Sequence, residues 1–157
     1  MFSQVYFHKV RRIYDYHIVE AIKEILKHNR NGKAEYPSVN ELGDYLMYDD
    51  WEIYSALKKG IAKEKGEAIL NRKHFECKYD SNLIPFAEND DKLKELQKVY
   101  KGRTTYLDDK ASTEWYKPSE DIFICGDGRI QELSEKSAIV RAMRGSAVHL
   151  KRFYVSK

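Results

Sequence analysis

The sequence predicts an α+β fold, with an N-terminal helical part that contains one long helix and then a small ferredoxin-like or split β-α-β unit. Helical periodicity dominates residues 1–72, whereas residues 73–157 have the pattern strand, helix, loop, strand, helix, strand. Helices in one part of a chain and strands in another are typical of α+β folds. With 157 residues, 42% of them hydrophobic, the chain can form one domain with a core or two small lobes that share one.

The first predicted element is a helix from Phe2 to about His28, with no clear capping residue ahead of it. Its apolar residues change face along its length. A helix that packs on one partner keeps one apolar stripe, so the change indicates two partners, unless the helix is buried within its own domain. The first face comprises Phe2, Val5, Tyr6, Val10 and Ile13, and the second comprises Ile18, Val19, Ile22, Ile25 and Leu26.

Local signals predict the rest of the helical part. Asn29–Gly32 has the composition of a helix-ending turn. Ser38 and Glu41 form the capping box of a second helix, and a third helix begins near Asp49 and Asp50. Residues 68–70 are expected to form a last short helix.

Residues 73–157 change in character. Alternating apolar residues predict a strand at 73–79, and periodicity predicts a helix at 90–100. Residues 102–120 have no clear period and are expected to form a long loop or an irregular hairpin. The remaining predictions are a buried strand at 121–125, a helix capped by Ser134, and a final strand at 148–155.

Composition excludes several classes of protein. Lys and Arg number 28 against 25 Asp and Glu, and this balance is too even to indicate a nucleic-acid-binding protein. No apolar run approaches the length of a membrane span, and no signal peptide is recognisable. Cys77 and Cys125 lack zinc or disulfide spacing and are expected to be inert core thiols in a reduced, cytoplasmic protein.

The histidines do not form a metal-binding motif. His8, His17, His28, His74 and His149 are scattered singly, and no two of them stand four residues apart. A divalent metal needs imidazole and carboxylate ligands gathered at one point. No catalytic residue, metal ligand or resident cofactor is therefore predicted in this chain.

Several short motifs carry a resemblance to a known family. The run Tyr6-x-His8-Lys9 is similar to the helix that follows the catalytic core of HD-domain phosphohydrolases, the superfamily of the dNTP triphosphohydrolases. Residues 49–54, residues 72–75 and residues 152–155 resemble later segments of these enzymes. Together the matches extend over nearly the whole chain, although each is short.

The resemblance implies a position in a larger enzyme. Residues 1–72 would continue from an HD catalytic core that this chain lacks, and residues 73–157 would form a small α+β subdomain. A divalent metal is expected only in that absent core, which would also be the chain's partner. By resemblance Tyr6, His8, Lys9 and Arg12 would lie near a nucleotide, with Lys9 close to a phosphate. No lysine stands near residues 123–125, where the animal enzymes have one that contacts a phosphate.

The functional hypothesis is therefore an accessory region for assembly and regulation, not catalytic by itself. Phe2, Val5, Val10 and Ile13 are expected to lie at an interface with the catalytic core or with a second copy of the chain. The alternative is a small nucleic-acid-binding protein that presents positive side chains to phosphates. Those side chains would be Lys9, Arg11, Arg12, Lys58 and Lys59.

Overall fold

A computed structural model of the chain describes the backbone of residues 5–81, 87–114, 122–126, 128–143 and 147–157. It describes the side chains of the same residues except 87–90, 110–114 and 147–149. The chain forms two compact units. The first unit comprises Met1–Cys77, Gly102–Thr105 and Tyr154–Lys157, and the second comprises Lys78–Lys101 and Tyr106–Phe153. The boundary expected between residues 72 and 73, and the continuation from a catalytic core, remain predictions.

The first unit is helical. Its core is formed by small and aliphatic side chains, with Ala21 and Ile25 of the longest helix packed against Ala56, Leu57 and Ala62. The elements are α1 (Lys9–Asn29), a 3-10 turn (Val39–Glu41), α2 (Leu42–Leu46), α3 (Asp50–Lys58) and α4 (Lys63–Leu70).

The local signals for helix ends are confirmed. The backbone N–H of Arg30 donates to the carbonyl of Leu26, and Asn31 and Gly32 both have positive φ, as expected for a left-handed turn after a helix. The Asp49 carboxylate accepts the backbone N–H of Glu52 at 2.8 Å and so caps α3.

The long helix begins later than predicted. It begins at Lys9, and the Nδ1 atom of His8 accepts the backbone N–H of Val10 at 3.3 Å. His8 is thus a capping residue, whereas the sequence pattern placed it inside the helix. Phe2 lies outside the described residues.

The predicted apolar faces of α1 are also wrong in part. The buried residues follow a four-residue spacing through Ile13, His17, Ala21 and Ile25, with Leu26 beside them. Ile18 and Val19, which were assigned to the second apolar face, are exposed.

The second unit contains most of each strand and, among the described residues, three helices. The elements are β1 (Glu76–Asp80), α5 (Ala87–Val99), β2 (Thr105–Glu114), β3 (Phe123–Gly126), β4 (Arg129–Glu132), α6 (Leu133–Lys136), α7 (Ala138–Met143) and β5 (Ala147–Val155). The strand order of the main sheet is β1-β5-β2. Helix α5 connects β1 to β2, and β5 lies between these two strands, as in the predicted split β-α-β unit.

Side chains fix the register of β1 against β5. The Nε atom of Arg152, which is almost fully buried, donates to the Asp80 carboxylate at 2.7 Å. Next to this pair, just after the end of β1, the backbone N–H of Ser81 donates to the carbonyl of Lys151 at 2.9 Å.

Three predictions in the second unit are corrected. The supposed loop at 102–120 contains β2, which the aperiodic sequence did not indicate. Strand β3 is not buried: among the described residues it pairs antiparallel with β4 alone, and Phe123 is 65% exposed. Cys125 is exposed rather than a core thiol.

Ser134 is not a helix cap. It lies buried inside α6, and the hydroxyl of Ser137 accepts the backbone N–H of Val140 in α7 at 3.3 Å.

The α+β class with a long N-terminal helix is confirmed. In the part of the chain that is described, no helix combines the length and apolarity needed to cross a bilayer.

Candidate functional site

A cleft of about 500 Å³ lies within the first unit, beside the first turn of α1. We call it the Lys9 cleft. Its wall also includes the start of β1 and the end of β5. The lining residues are Lys9, Val10, Ile13, His74, Phe75, Glu76, Cys77, Tyr154 and Lys157.

Tyr154 ties the helix to the end of the chain across this cleft. Its side chain is buried, and its hydroxyl donates to the backbone carbonyl of Lys9 at 2.9 Å. This bond positions the first turn of α1, while the Lys9 side chain remains exposed. The polar end of a buried tyrosine commonly finds such a partner.

The charge of the cleft favours anions. Lys9 and Lys157 bring two ammonium groups, against one carboxylate from Glu76. The first turn of α1 contains no acidic residue. Because the N-terminus of a helix carries partial positive charge, it adds to the positive potential of the two lysines. Lysine acts as a compact point charge that suits phosphate.

Two histidines hold the backbone at Phe75, which lies in the wall of the cleft. The backbone N–H of Phe75 donates to Nε2 of His17 at 3.3 Å. The carbonyl of Phe75 lies 2.9 Å from Nδ1 of His74. A carbonyl can only accept, so His74 donates from Nδ1. Both backbone groups of one residue are therefore satisfied by side chains.

His17 is a neutral, fully buried ring. Burial, together with the smaller effects of the Lys65 charge and of His74, lowers the pKa of its imidazole to about 4. The ring meets Phe75 edge-on, with centroids 4.7 Å apart. Since Nε2 accepts a hydrogen bond, the proton sits on Nδ1, which has no partner among the described residues.

A second cleft of about 510 Å³ adjoins the first and shares Val10 and His74 with it. Tyr14, Ile69 and Arg72 complete its lining. The rings of Tyr14 and His74 are in contact, with centroids 5.2 Å apart. His74 thus forms part of the wall of both clefts.

The structure brings only part of the predicted nucleotide set together. Lys9 lines the cleft, but Tyr6, His8 and Arg12 do not. The ring of Tyr6 is 58% exposed, His8 caps α1, and the Arg12 guanidinium lies over the ring of Phe7 at 5.8 Å.

The predicted interface set is corrected at one position. Ile13 is buried within the chain and is not available to a partner. Val5 is 52% exposed, Val10 is half-buried in the cleft wall, and Phe2 lies outside the described residues.

Sequence reasoning missed the cleft residues contributed from elsewhere in the chain. His17 stands in the buried four-residue series of α1, and that spacing is the signal that marks it as an interior histidine. Tyr154 and Lys157 carry no comparable signal, because they reach the cleft only through the fold. Within the described segments, no group of three or more histidine, cysteine or acidic side chains is arranged to hold a metal ion.

No protein-family model and no curated protein sequence matches this chain. Solved structures do match it, among them the following two. A hypothetical protein from Aquifex aeolicus is 26% identical with a TM-score of 0.74, over 99% of this chain and 38% of that protein. A phosphohydrolase from Bacteroides thetaiotaomicron is 18% identical with a TM-score of 0.64, over 98% of this chain and 46% of that protein.

The chain thus spans less than half the length of either protein. At 18% identity, the likeness to the Bacteroides phosphohydrolase shows a shared fold.

Proposed function

We propose that this chain is a non-catalytic accessory region of an HD-domain phosphohydrolase that acts on nucleotides. One observation carries the proposal: almost the whole chain has the fold of part of a protein named a phosphohydrolase. The short motifs that resemble HD-domain enzymes point independently to the same class. Hydrolysis would then belong to a metal-bearing core outside this chain.

The Lys9 cleft supports a nucleotide-facing role within that proposal. Lys9, the residue that the family resemblance places near a phosphate, lines a cleft that also contains Lys157 and His74. Because Nδ1 of His74 donates to the Phe75 carbonyl, Nε2 is the ring nitrogen that remains for a ligand. Two ammonium groups and a ring nitrogen suit a phosphate and a polar group next to it.

Energetics predict weak binding by the chain alone. A charge-assisted hydrogen bond contributes about 1.5–3 kcal/mol, and binding costs at least about 4 kcal/mol in lost translational and rotational freedom. Two lysines therefore leave at most about 2 kcal/mol, which corresponds to an affinity weaker than millimolar. The cleft would need a further surface to hold a nucleotide tightly.

A titration followed by amide NMR tests the cleft. With dNTPs or tripolyphosphate we expect shifts at Val10, His74 and Lys157, with a Kd on the order of 1 mM or weaker. Lys9→Ala should reduce the shifts, whereas Lys33→Ala, which changes an exposed lysine outside the cleft, should not. Shifts located away from the cleft would refute the nucleotide-facing role.

A hydrolysis assay tests the non-catalytic role. The purified chain should show no turnover of dNTPs or phosphodiesters above buffer with Mn²⁺, Mg²⁺ or Ni²⁺ present. Contaminating phosphatase is controlled by repurification and by assaying His8→Ala in parallel. Turnover that survives repurification and is lost in His8→Ala would contradict the proposal.

A further inference from the structure

A continuous stretch of the first unit exposes an unusual amount of apolar surface. The 3-10 turn and α2 bury no residue at all, although short helices normally depend on packing for their stability. Trp51 and Tyr54 of α3 also face outward. The exposed apolar side chains are Val39, Leu42, Tyr45, Leu46, Met47, Trp51 and Tyr54, and we call them the 39–54 surface.

This surface is ordered and large. The ring of Tyr36 contacts the rings of Tyr45 and Tyr48, with centroids 6.0 Å and 6.2 Å apart. Val39 is 90% exposed and Trp51 is 80% exposed. At roughly 100–200 Å² per large apolar side chain, the exposed fractions amount to roughly 500–900 Å². This area lies at or above the upper end of the largest apolar patches of typical monomers and is comparable with one side of a standard protein interface.

The charge around the surface restricts what can cover it. Residues 36–54 contain five carboxylates and no lysine or arginine. Glu41 is paired with Arg30 at 3.0 Å, and Asp49 caps α3. In the described part of the chain, Asp44, Asp50 and Glu52 have no ion-pair partner. Two copies of this surface face to face would repel, so a fitting partner is apolar and basic.

The chain itself carries a surface of that kind. Val5 and Tyr6 are more than half exposed, and Lys9 and Arg11 beside them are exposed as well. Residues 5–15 contain three cations and one carboxylate, Asp15, which pairs with Arg11 at 2.8 Å, so the segment keeps a net positive charge. We call Val5, Tyr6, Lys9 and Arg11 the 5–11 surface. Both surfaces belong to the first unit.

We propose that the chain forms a homodimer in which the 39–54 surface of each copy docks on the 5–11 surface of the other. A two-fold axis makes such a contact reciprocal, so it occurs twice in the dimer. The apolar side chains supply the buried area, and the opposite charges select the orientation. This interface includes Lys9, which also lines the Lys9 cleft, whereas no residue of the 39–54 surface lines that cleft.

Sedimentation velocity on the full chain, with charge-reversal variants, tests the proposal. The wild type should be a dimer at about 50 µM. We expect Asp50→Lys with Glu52→Lys to raise the dimer Kd at least about tenfold, and Lys9→Glu with Arg11→Glu to do the same. An equimolar mixture of the two double variants should regain the dimer, because both reversed surfaces then meet opposite charge.

Trp51→Ala should also weaken the dimer at least about tenfold, since aromatic residues in the centre of an interface contribute most to affinity. Ile139→Ala is the matched control, because Ile139 is 73% exposed in the second unit. Circular dichroism checks that each variant is folded. A strict monomer at about 200 µM would overturn the proposal, and so would a dimer that neither charge reversal nor Trp51→Ala weakens. Asp50→Lys with Glu52→Lys, and Trp51→Ala, change no residue of the Lys9 cleft, so their effect on the dimer is separate from the outcome of the nucleotide titration.

Discussion

His17 is completely buried at the contact between α1 and the segment that leads into β1, and only its neutral ring can accept the Phe75 N–H. A charged ring would lose that hydrogen bond and would lie near the ammonium of Lys65, which is itself placed over the rings of Tyr16 and Phe75. Burial and these neighbours together depress the pKa to about 4.

This depressed pKa predicts how stability depends on pH. In the unfolded chain the imidazole titrates near its ordinary pKa of 6.5, so below that pH the unfolded state binds the extra proton. The contribution of His17 is fully present above pH 6.5 and is lost as the pH falls towards 4. The pKa difference corresponds to about 3 kcal/mol of unfolding free energy.

Urea denaturation between pH 7.5 and pH 4.5 measures this loss. His17→Gln should flatten the pH dependence, whereas His28→Gln, which alters an exposed histidine of the same helix, should leave it as in the wild type. The assignment fails if His17→Gln loses stability on acidification as steeply as the wild type does.

At the scale of single elements, two helical glycines have opposite surroundings. A Cβ added at Gly66 in α4 would lie 3.2 Å from the Cβ of Ala62 and 3.3 Å from Cδ2 of Leu57. A Cβ at Gly43 in α2 would meet nothing within 4 Å. Gly66 therefore allows α3 and α4 to pack closely, while Gly43 makes no such contribution.

Larger side chains at the two positions should change the free energy of unfolding differently. Gly43→Ala should raise the free energy of unfolding by about 0.5–1 kcal/mol through helix propensity. Gly66→Ala should lack this gain, and Gly66→Val should lower stability by about 1–3 kcal/mol through overpacking. Urea titrations at one pH suffice for the comparison. Equal stabilisation by Gly43→Ala and Gly66→Ala would contradict this prediction, because it would show that α3 and α4 can move apart enough to accept a methyl group at Gly66.

At the scale of the whole molecule, charge is distributed in local pairs. Along α1, Arg11 binds Asp15, Lys23 binds Glu20 and Lys27 binds Glu24, each at 2.7–2.8 Å. Neutralised cations of this kind do not form a continuous positive stripe. The pairing argues against the alternative of a nucleic-acid-binding protein, which requires several cations that contact phosphates together.

Fluorescence anisotropy with a short duplex and a single strand checks this point. At physiological salt the chain should not retain either one, and lowering the salt should produce only weak binding. A nucleic-acid-binding protein would instead lose affinity steeply as salt rises, because bound phosphates release counterions. Submicromolar, salt-sensitive binding that Lys9→Ala with Arg12→Ala abolishes, and Lys33→Ala does not, would favour the alternative.

Local signals in the sequence were sufficient to predict several elements of the fold. The turn after α1, the Asp49 cap and the final strand depend on residues within a few positions of one another, and the structure contains all three. The order of helices and strands along the sequence was sufficient to predict the α+β fold class. For the site, the sequence pointed to Lys9, which does line the cleft.

Only the tertiary structure decided which side chains surround Lys9 and which faces are buried. The hydrogen bond from Phe75 to His17 spans 58 residues, and the one from Tyr154 to Lys9 spans 145. Ile13 is buried and Ile18 is exposed, although both are apolar residues of one helix. Periodicity identifies apolar residues, but burial depends on which face of an element meets another, and contacts between distant residues leave no local pattern in the sequence.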